Sequence, residues 1–160
     1  MNIEKLTPLL GVWKGKGTAI FPTIIETEYI EQLEILRIEK NHVLSYIQKT
    51  WYKHAPEGEP VTPLHWESGY IKVLNGGLYQ MSNSQDNGRV EVLIGNIIED
   101  KSEIFHIRFE SKHIGNDERM LRTSREFTIT GNKLKYVLKM ATQKTPEFQD
   151  HLKAELTKVL

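Results

Sequence analysis

Seven residues near the amino end, Gly11-Val12-Trp13-Lys14-Gly15-Lys16-Gly17, make a demand that few folds meet. Side chains of an extended strand alternate between faces, so Gly11, Trp13, Gly15 and Gly17 share one face and Val12, Lys14 and Lys16 the other. One face then carries a single indole among residues without side chains, and the opposite face is largely cationic. Such a strand suits the start of a small, strongly coiled barrel. The indole plugs one end of the interior, the lysines meet water, and the glycines let the strand bend where a Cβ would crowd its neighbours. Taken alone, the motif reports architecture before chemistry.

The rest of the chain repeats short strand-like runs with turn residues between them. Ile3, Leu6 and Leu9/Leu10 are spaced for a short helical turn, limited by Pro8, that packs across one end of the body. Only Ala19 to Thr23 separates the first strand from a second that starts near Ile24 or Ile25. That gap is too short for a helical hairpin, so the barrel has no helical lid. The second run sets Ile25, Thr27, Tyr29, Leu33 and Ile35 on one face and Glu26, Glu28 and Glu34 on a wet one.

Further strands are expected over Val43–Lys53, Leu64–Leu74, Leu78–Ser82, Val90–Ile98, Glu103–Ser111, Met120–Ile129 and Lys133–Ala141. The last two form a hairpin about Thr130-Gly131-Asn132. Apolar alternation marks Val90/Val92/Ile94, Phe105/Ile107/Phe109 and Leu134/Tyr136/Leu138/Met140. Turns or loops are expected at Asn41-His42, Ala55 to Pro60 and Asn83 to Gly88, with a long polar connection from His113 to Arg119.

About ten short strands without helical periodicity between them define an all-β chain. The expected fold is an antiparallel up-and-down β-barrel of calycin or lipocalin type, a single domain over 1–160. The last segment, 147–157, is ambiguous. It fits a helix behind Thr145-Pro146, and equally a strand with Leu152, Ala154 and Leu156 opposite His151, Lys153 and Glu155. A barrel starting at residue 11 needs a partner for its first edge. That favours a turn at Pro146–Gln149 and then a strand from about His151 to Val159.

Composition narrows the chemistry. The 21 basic and 21 acidic side chains cancel, so nothing supplies the basic field that nucleic acid or an anionic membrane needs. With no cysteine there are no disulfides, thiolate nucleophiles, Cys-ligated zinc, iron–sulfur clusters or covalent c-type haem. No apolar leader or membrane-length stretch is present, which points to a cytoplasmic protein. The six histidines show no zinc-site spacing, and there is no nucleophile elbow, phosphate loop or dinucleotide fingerprint. The carboxylates read as solvated strand faces.

Four ordered blocks carry a resemblance. Leu10-Gly11-Val12-Trp13-Lys14-Gly15-Lys16-Gly17 with Phe21-Pro22-Thr23-Ile24 comes first, and Pro63 to Lys72 is second. Leu138-Lys139-Met140-Ala141-Thr142 and Asp150 to Leu156 complete the set. Together they resemble the nitrobindin family, haem-binding barrels similar to fatty-acid-binding proteins. The resemblance implies one non-covalent haem b per chain, with His151 as the proximal iron ligand and Thr23 in contact with the haem. It also implies that Leu64, His65 and Met140 line the distal side. The implied activity is binding of nitric oxide and, in the ferric state, isomerisation of peroxynitrite to nitrate. No catalytic group beyond the iron is called for.

On the residues alone, other roles stand beside these. His151 fits a hydrogen-bonded residue at the closing seam, Thr23 a turn residue, His65 a buried structural histidine and Met140 core filler. The same barrel also suits a non-catalytic carrier of small hydrophobic ligands. The oligomeric state is open, a homodimer included.

Overall fold

The alternation in the first strand carries through to the backbone. In the computed structural model, which describes residues 3–38, 42–54 and 61–160, β1 (Gly11–Ala19) sends Trp13 fully inside and leaves Lys14 and Lys16 in water. The indole Nε1–H donates to the Leu9 carbonyl at 2.9 Å, so the one polar atom of the plug is satisfied. Leu9 closes a 3-10 turn, Ile3–Leu9, whose Ile3, Leu6 and Leu9 are buried across this end of the barrel as expected.

The strands after β1 are β2 (Thr27–Arg37), β3 (Val43–Tyr52), β4 (Pro63–Val73), β5 (Tyr79–Gln85) and β6 (Val90–Lys101). They continue as β7 (Ile104–Gly115), β8 (Met120–Thr130), β9 (Lys133–Thr142) and β10 (Gln149–Lys158). Each pairs antiparallel with its neighbours in sequence, and β10 returns to pair with β1, closing the barrel. The ambiguous carboxyl segment is therefore a strand, with Trp13 opposite Lys158 and Ala19 opposite Leu152. The β1–β2, β3–β4, β5–β6, β7–β8 and β9–β10 connections share one end, the mouth. Residues 20–26 contain no helix, so no lid covers the mouth between the first two strands.

Several boundaries and faces depart from expectation. β2 begins at Thr27, and β10 begins at Gln149 with no turn at Pro146–Gln149. β5 runs on to Gln85 and β7 to Gly115, so the long polar connection shrinks to residues 116–119. The Val90/Val92/Ile94 stripe faces outward. The buried residues of β6 are Glu91, Leu93 and Gly95, one step out of phase. β-Branched residues favour strands on either face, so that stripe reported the strand without its orientation. Asn41 and the loop at 55–60 lie outside the described residues.

Gly17 shows why β1 is glycine-rich. A Cβ there would lie 2.2 Å from Cζ of Tyr29, its cross-strand partner. The missing side chain is the space in which the buried Tyr29 ring lies. Gly17→Ala is therefore expected to destabilise by about 1–3 kcal/mol through overpacking, read as a lower urea midpoint at unchanged slope. An unchanged midpoint would show that the Tyr29 ring has slack to move.

Candidate functional site

Strict alternation would turn His151 away from the interior that Leu152, Ala154 and Leu156 enter. A β-bulge changes that. Asp150 pairs with Lys139 and Leu152 with the adjacent Leu138, leaving His151 as the extra residue. His151 and Leu152 consequently both line the cup. β4 repeats the device: Thr50 pairs with His65 and Trp51 with Pro63, leaving Leu64 unpaired, so Leu64 and His65 both line the cup. Bulges re-aim side chains at barrel rims, and here they bring an imidazole and a leucine to the mouth.

The cup has a cavity volume of about 780 Å³, within the ~300–1,000 Å³ typical of cofactor and small-molecule sites. Leu64, Leu138, Met140 and Leu152 form apolar wall, and Thr23, Ile24 and Ile25 contribute from the β1–β2 connection. All five residues singled out from the sequence, Thr23, Leu64, His65, Met140 and His151, meet in this one cavity. Trp66 points outward, edge-on to Trp51 with Lys49 over its ring.

The two histidines of the cup are held in opposite ways. His151 Nδ1–H donates to the Ile20 carbonyl at 3.1 Å, and the Phe21 ring lies edge-on to the imidazole. That bond fixes the tautomer and leaves Nε2 without a protein partner among the described residues. Burial, with the Arg89 and His65 charges adding to it and the Ile20 bond opposing, pushes the His151 pKa below the usual histidine value. The ring is neutral at neutral pH, the form that ligates metal. His65, by contrast, places Nε2 3.2 Å from Glu67 Oε2 and Nδ1 3.3 Å from Asp86 Oδ1. Both of its nitrogens are committed to carboxylates.

Beneath the cup lies a buried polar layer that overturns the reading of the carboxylates as solvated faces. Arg125, 1% exposed, donates from Nη1 and Nη2 to Glu67 and from Nη2 to Glu91 at 2.7 Å. Tyr46 Oη–H donates to Glu67 at 3.0 Å, and Thr123 and Asn83 donate to Glu91 at 3.1 Å each. Burial alone would raise the Glu67 pKa, but Arg125 and the His65 hydrogen bond hold it at about 2. Glu31 is different: burial and the neighbouring Glu67 charge push it up to about 7, against a Gln48 hydrogen bond of 2.7 Å. One signal could have found this layer. Glu31, Glu67, Glu91 and Arg125 each share strand parity with buried apolar neighbours such as Leu33, Ile71, Leu93 and Phe127.

Fold and site together define a ligand-binding barrel of calycin type, without a helical lid among the described residues and with one inward imidazole nitrogen open to a bound group. More particularly, the chain belongs to the THAP4-like, heme-binding β-barrel domain family, whose family model matches residues 2–158. It is 36% identical over 157 residues to a peroxynitrite isomerase from Arabidopsis thaliana, covering 98% of this chain and 89% of that protein. It is also 32% identical over 158 residues to peroxynitrite isomerase 2 of Mycobacterium avium, covering 97% and 93% respectively. The crystal structure of Rv2717c from M. tuberculosis superposes with a TM-score of 0.87 at 28% identity, covering 99% of this chain and 97% of that one.

Glu31 makes the polar layer testable by pH. The folded chain holds this proton up to about pH 7, whereas an ordinary glutamate titrates at 4.5. The native state thus binds more protons across that window. The group's contribution to stability falls as pH rises from 4.5 to about 7 and stays low above it, a loss of about 3 kcal/mol. Glu31→Gln, which keeps an acceptor for Gln48, is expected to match wild type near about pH 5 and to exceed it by about 2–3 kcal/mol near about pH 8. Parallel urea melts at the two pH values check this, and a pH-independent difference would refute it.

Proposed function

We propose that the chain, as one nitrobindin-like barrel domain over residues 1–160, is a haem-b-binding cytoplasmic protein that binds nitric oxide and, in the ferric state, isomerises peroxynitrite to nitrate. The observation that carries this is the bulged His151, with Nδ1 held by the Ile20 carbonyl and Nε2 left for a metal. Family membership and the two relatives named as peroxynitrite isomerases support the same reaction.

The residues present fit the group. A neutral imidazole stands over apolar walls of Leu64, Leu138, Met140 and Leu152, in a cup of suitable size. With no cysteine in the chain, attachment is non-covalent, one haem per barrel. When bound, the haem iron supplies the Lewis-acidic centre for the nitrogen oxides. His151 would hold that iron through Nε2, which the Ile20 carbonyl, accepting from Nδ1–H, makes a stronger donor. Phe21 lies edge-on to the ring, and Thr23 from the β1–β2 connection, with Leu64, His65 and Met140 from the cavity wall, would hold the body of the haem. His65, its nitrogens both on carboxylates, shapes that wall without competing for the metal. A hydrophobic carrier would use the same apolar walls but gives no reason for the bulge that turns a histidine inward.

Titration of the protein with hemin is expected to develop a Soret band at one equivalent. His151→Ala should weaken binding roughly 100-fold, equal to about 3 kcal/mol, while far-ultraviolet circular dichroism is unchanged. Added imidazole should restore part of the spectrum. An unaltered spectrum and affinity in His151→Ala would remove the axial assignment.

A further inference from the structure

The chain is electrically neutral, yet among the described residues the charges lining the cavity are not balanced. Arg89, Arg119 and Lys144 all line the upper cavity, whereas Glu67, the one carboxylate among the described lining residues, lies deeper on Arg125. The three cations come from three successive mouth connections, β5–β6, β7–β8 and β9–β10.

These connections are tied together. Asn116 Nδ2 donates to the Gly88 carbonyl at 3.2 Å, joining the first to the second. Gln143 N–H donates to the Arg119 carbonyl at 2.8 Å, joining the second to the third. Asp117 braces two of the cations from below, receiving Arg119 through Nε and Nη2 at 2.8 and 2.9 Å, with Arg89 Nη1 at 3.6 Å. Arg119 Nη1 and Lys144 Nζ have no protein partner among the described residues. Across the mouth, the β1–β2 connection offers Thr23, Ile24 and Ile25 instead, with Ile25 88% exposed. Among the described residues, the rim is therefore cationic along the β5–β6, β7–β8 and β9–β10 connections and apolar along the β1–β2 connection.

We propose that Arg119 and Lys144, with Arg89 behind them, form a carboxylate-binding arc that fixes the orientation of the bound group by receiving its acidic side chains at the mouth. This rests on the haem reading above, in which those acids are the two propionates. Among the described lining residues, a planar apolar body entering the cup has no other rim cations to meet, and the braced Arg119 loses little side-chain freedom on contact. The arc also selects against ligands of the same shape that lack the acids.

Equilibrium titrations of the intact apo-protein with ferric protoporphyrin IX and with its dimethyl ester test this, read by tryptophan quenching and absorbance. The free acid is expected to bind about tenfold more tightly than the ester, with the difference shrinking at high salt. Lys144→Glu and Arg119→Gln should each weaken free-acid binding about three- to tenfold and leave the ester unmoved. Arg119→Gln also removes two hydrogen bonds from Asp117, whose side chain is 6% exposed, so its urea midpoint is read alongside, and Lys144→Glu, which breaks neither bond, carries the test if that midpoint falls. Tight binding of both forms, indifferent to the two variants, overturns the arc and leaves the cofactor reading standing. Failure of wild type to bind either form overturns both.

Discussion

Closure of the barrel and placement of its histidine are one event. Ile20 N–H donates to the His151 carbonyl at 2.7 Å, and His151 Nδ1–H donates back to the Ile20 carbonyl at 3.1 Å. The pair extends the β1–β10 ladder one step past Ala19 and Leu152. Were the carboxyl segment helical, β1 would present an open edge. The imidazole would also lose the acceptor that selects its tautomer. Architecture and chemistry share the same two residues.

Above the plugged end the interior is layered. Leu33 and Ile35 of β2, Phe127 and Ile129 of β8 and Leu134 of β9 belong to an apolar core with Trp13. One step toward the mouth on the same strands come Glu31, Arg125 and Tyr136, and beyond them Tyr29 and Leu138 line the cup. In a buried ion pair the cost of desolvation offsets much of the Coulomb gain, so the Arg125 cluster is a poor source of net stability. Its value lies in direction. Side chains from β3, β4, β6, β8 and β9 are held at fixed hydrogen-bond angles, a floor that apolar collapse cannot fill.

Period-two reasoning recovered the strands because inward and outward positions differ in water access along almost the whole barrel. The indole plug, the amino-terminal turn, the hairpin at Gly131-Asn132 and the return of β10 were legible on that basis. It misjudged Val90/Val92/Ile94, where an apolar stripe lies outside while Glu91 lies inside. Charge ordinarily marks solvent, and a charge that finds Arg125 as a partner escapes that rule. The bulges at Leu64 and His151 were illegible for another reason. A single inserted residue leaves no compositional trace, and alternation assigns His151 to the outer face. Only the resemblance to a haem-binding family pointed that side chain inward.

That the cup holds two histidines and yet leaves one ring nitrogen without a protein partner among the described residues follows from what each ring faces. A backbone carbonyl carries no net charge, so it can hold Nδ1–H while leaving the His151 imidazole neutral and its other nitrogen basic. Carboxylates at both nitrogens of His65 instead engage the whole ring and tie it to the Glu67–Arg125 layer below. The difference is set by chain position. His151 sits on the closing seam, where main-chain acceptors are at hand, and His65 sits on β4 beside the floor and the Asp86 turn. A site built this way would offer a bound metal one histidine nitrogen, because the other ring is already held by its carboxylates.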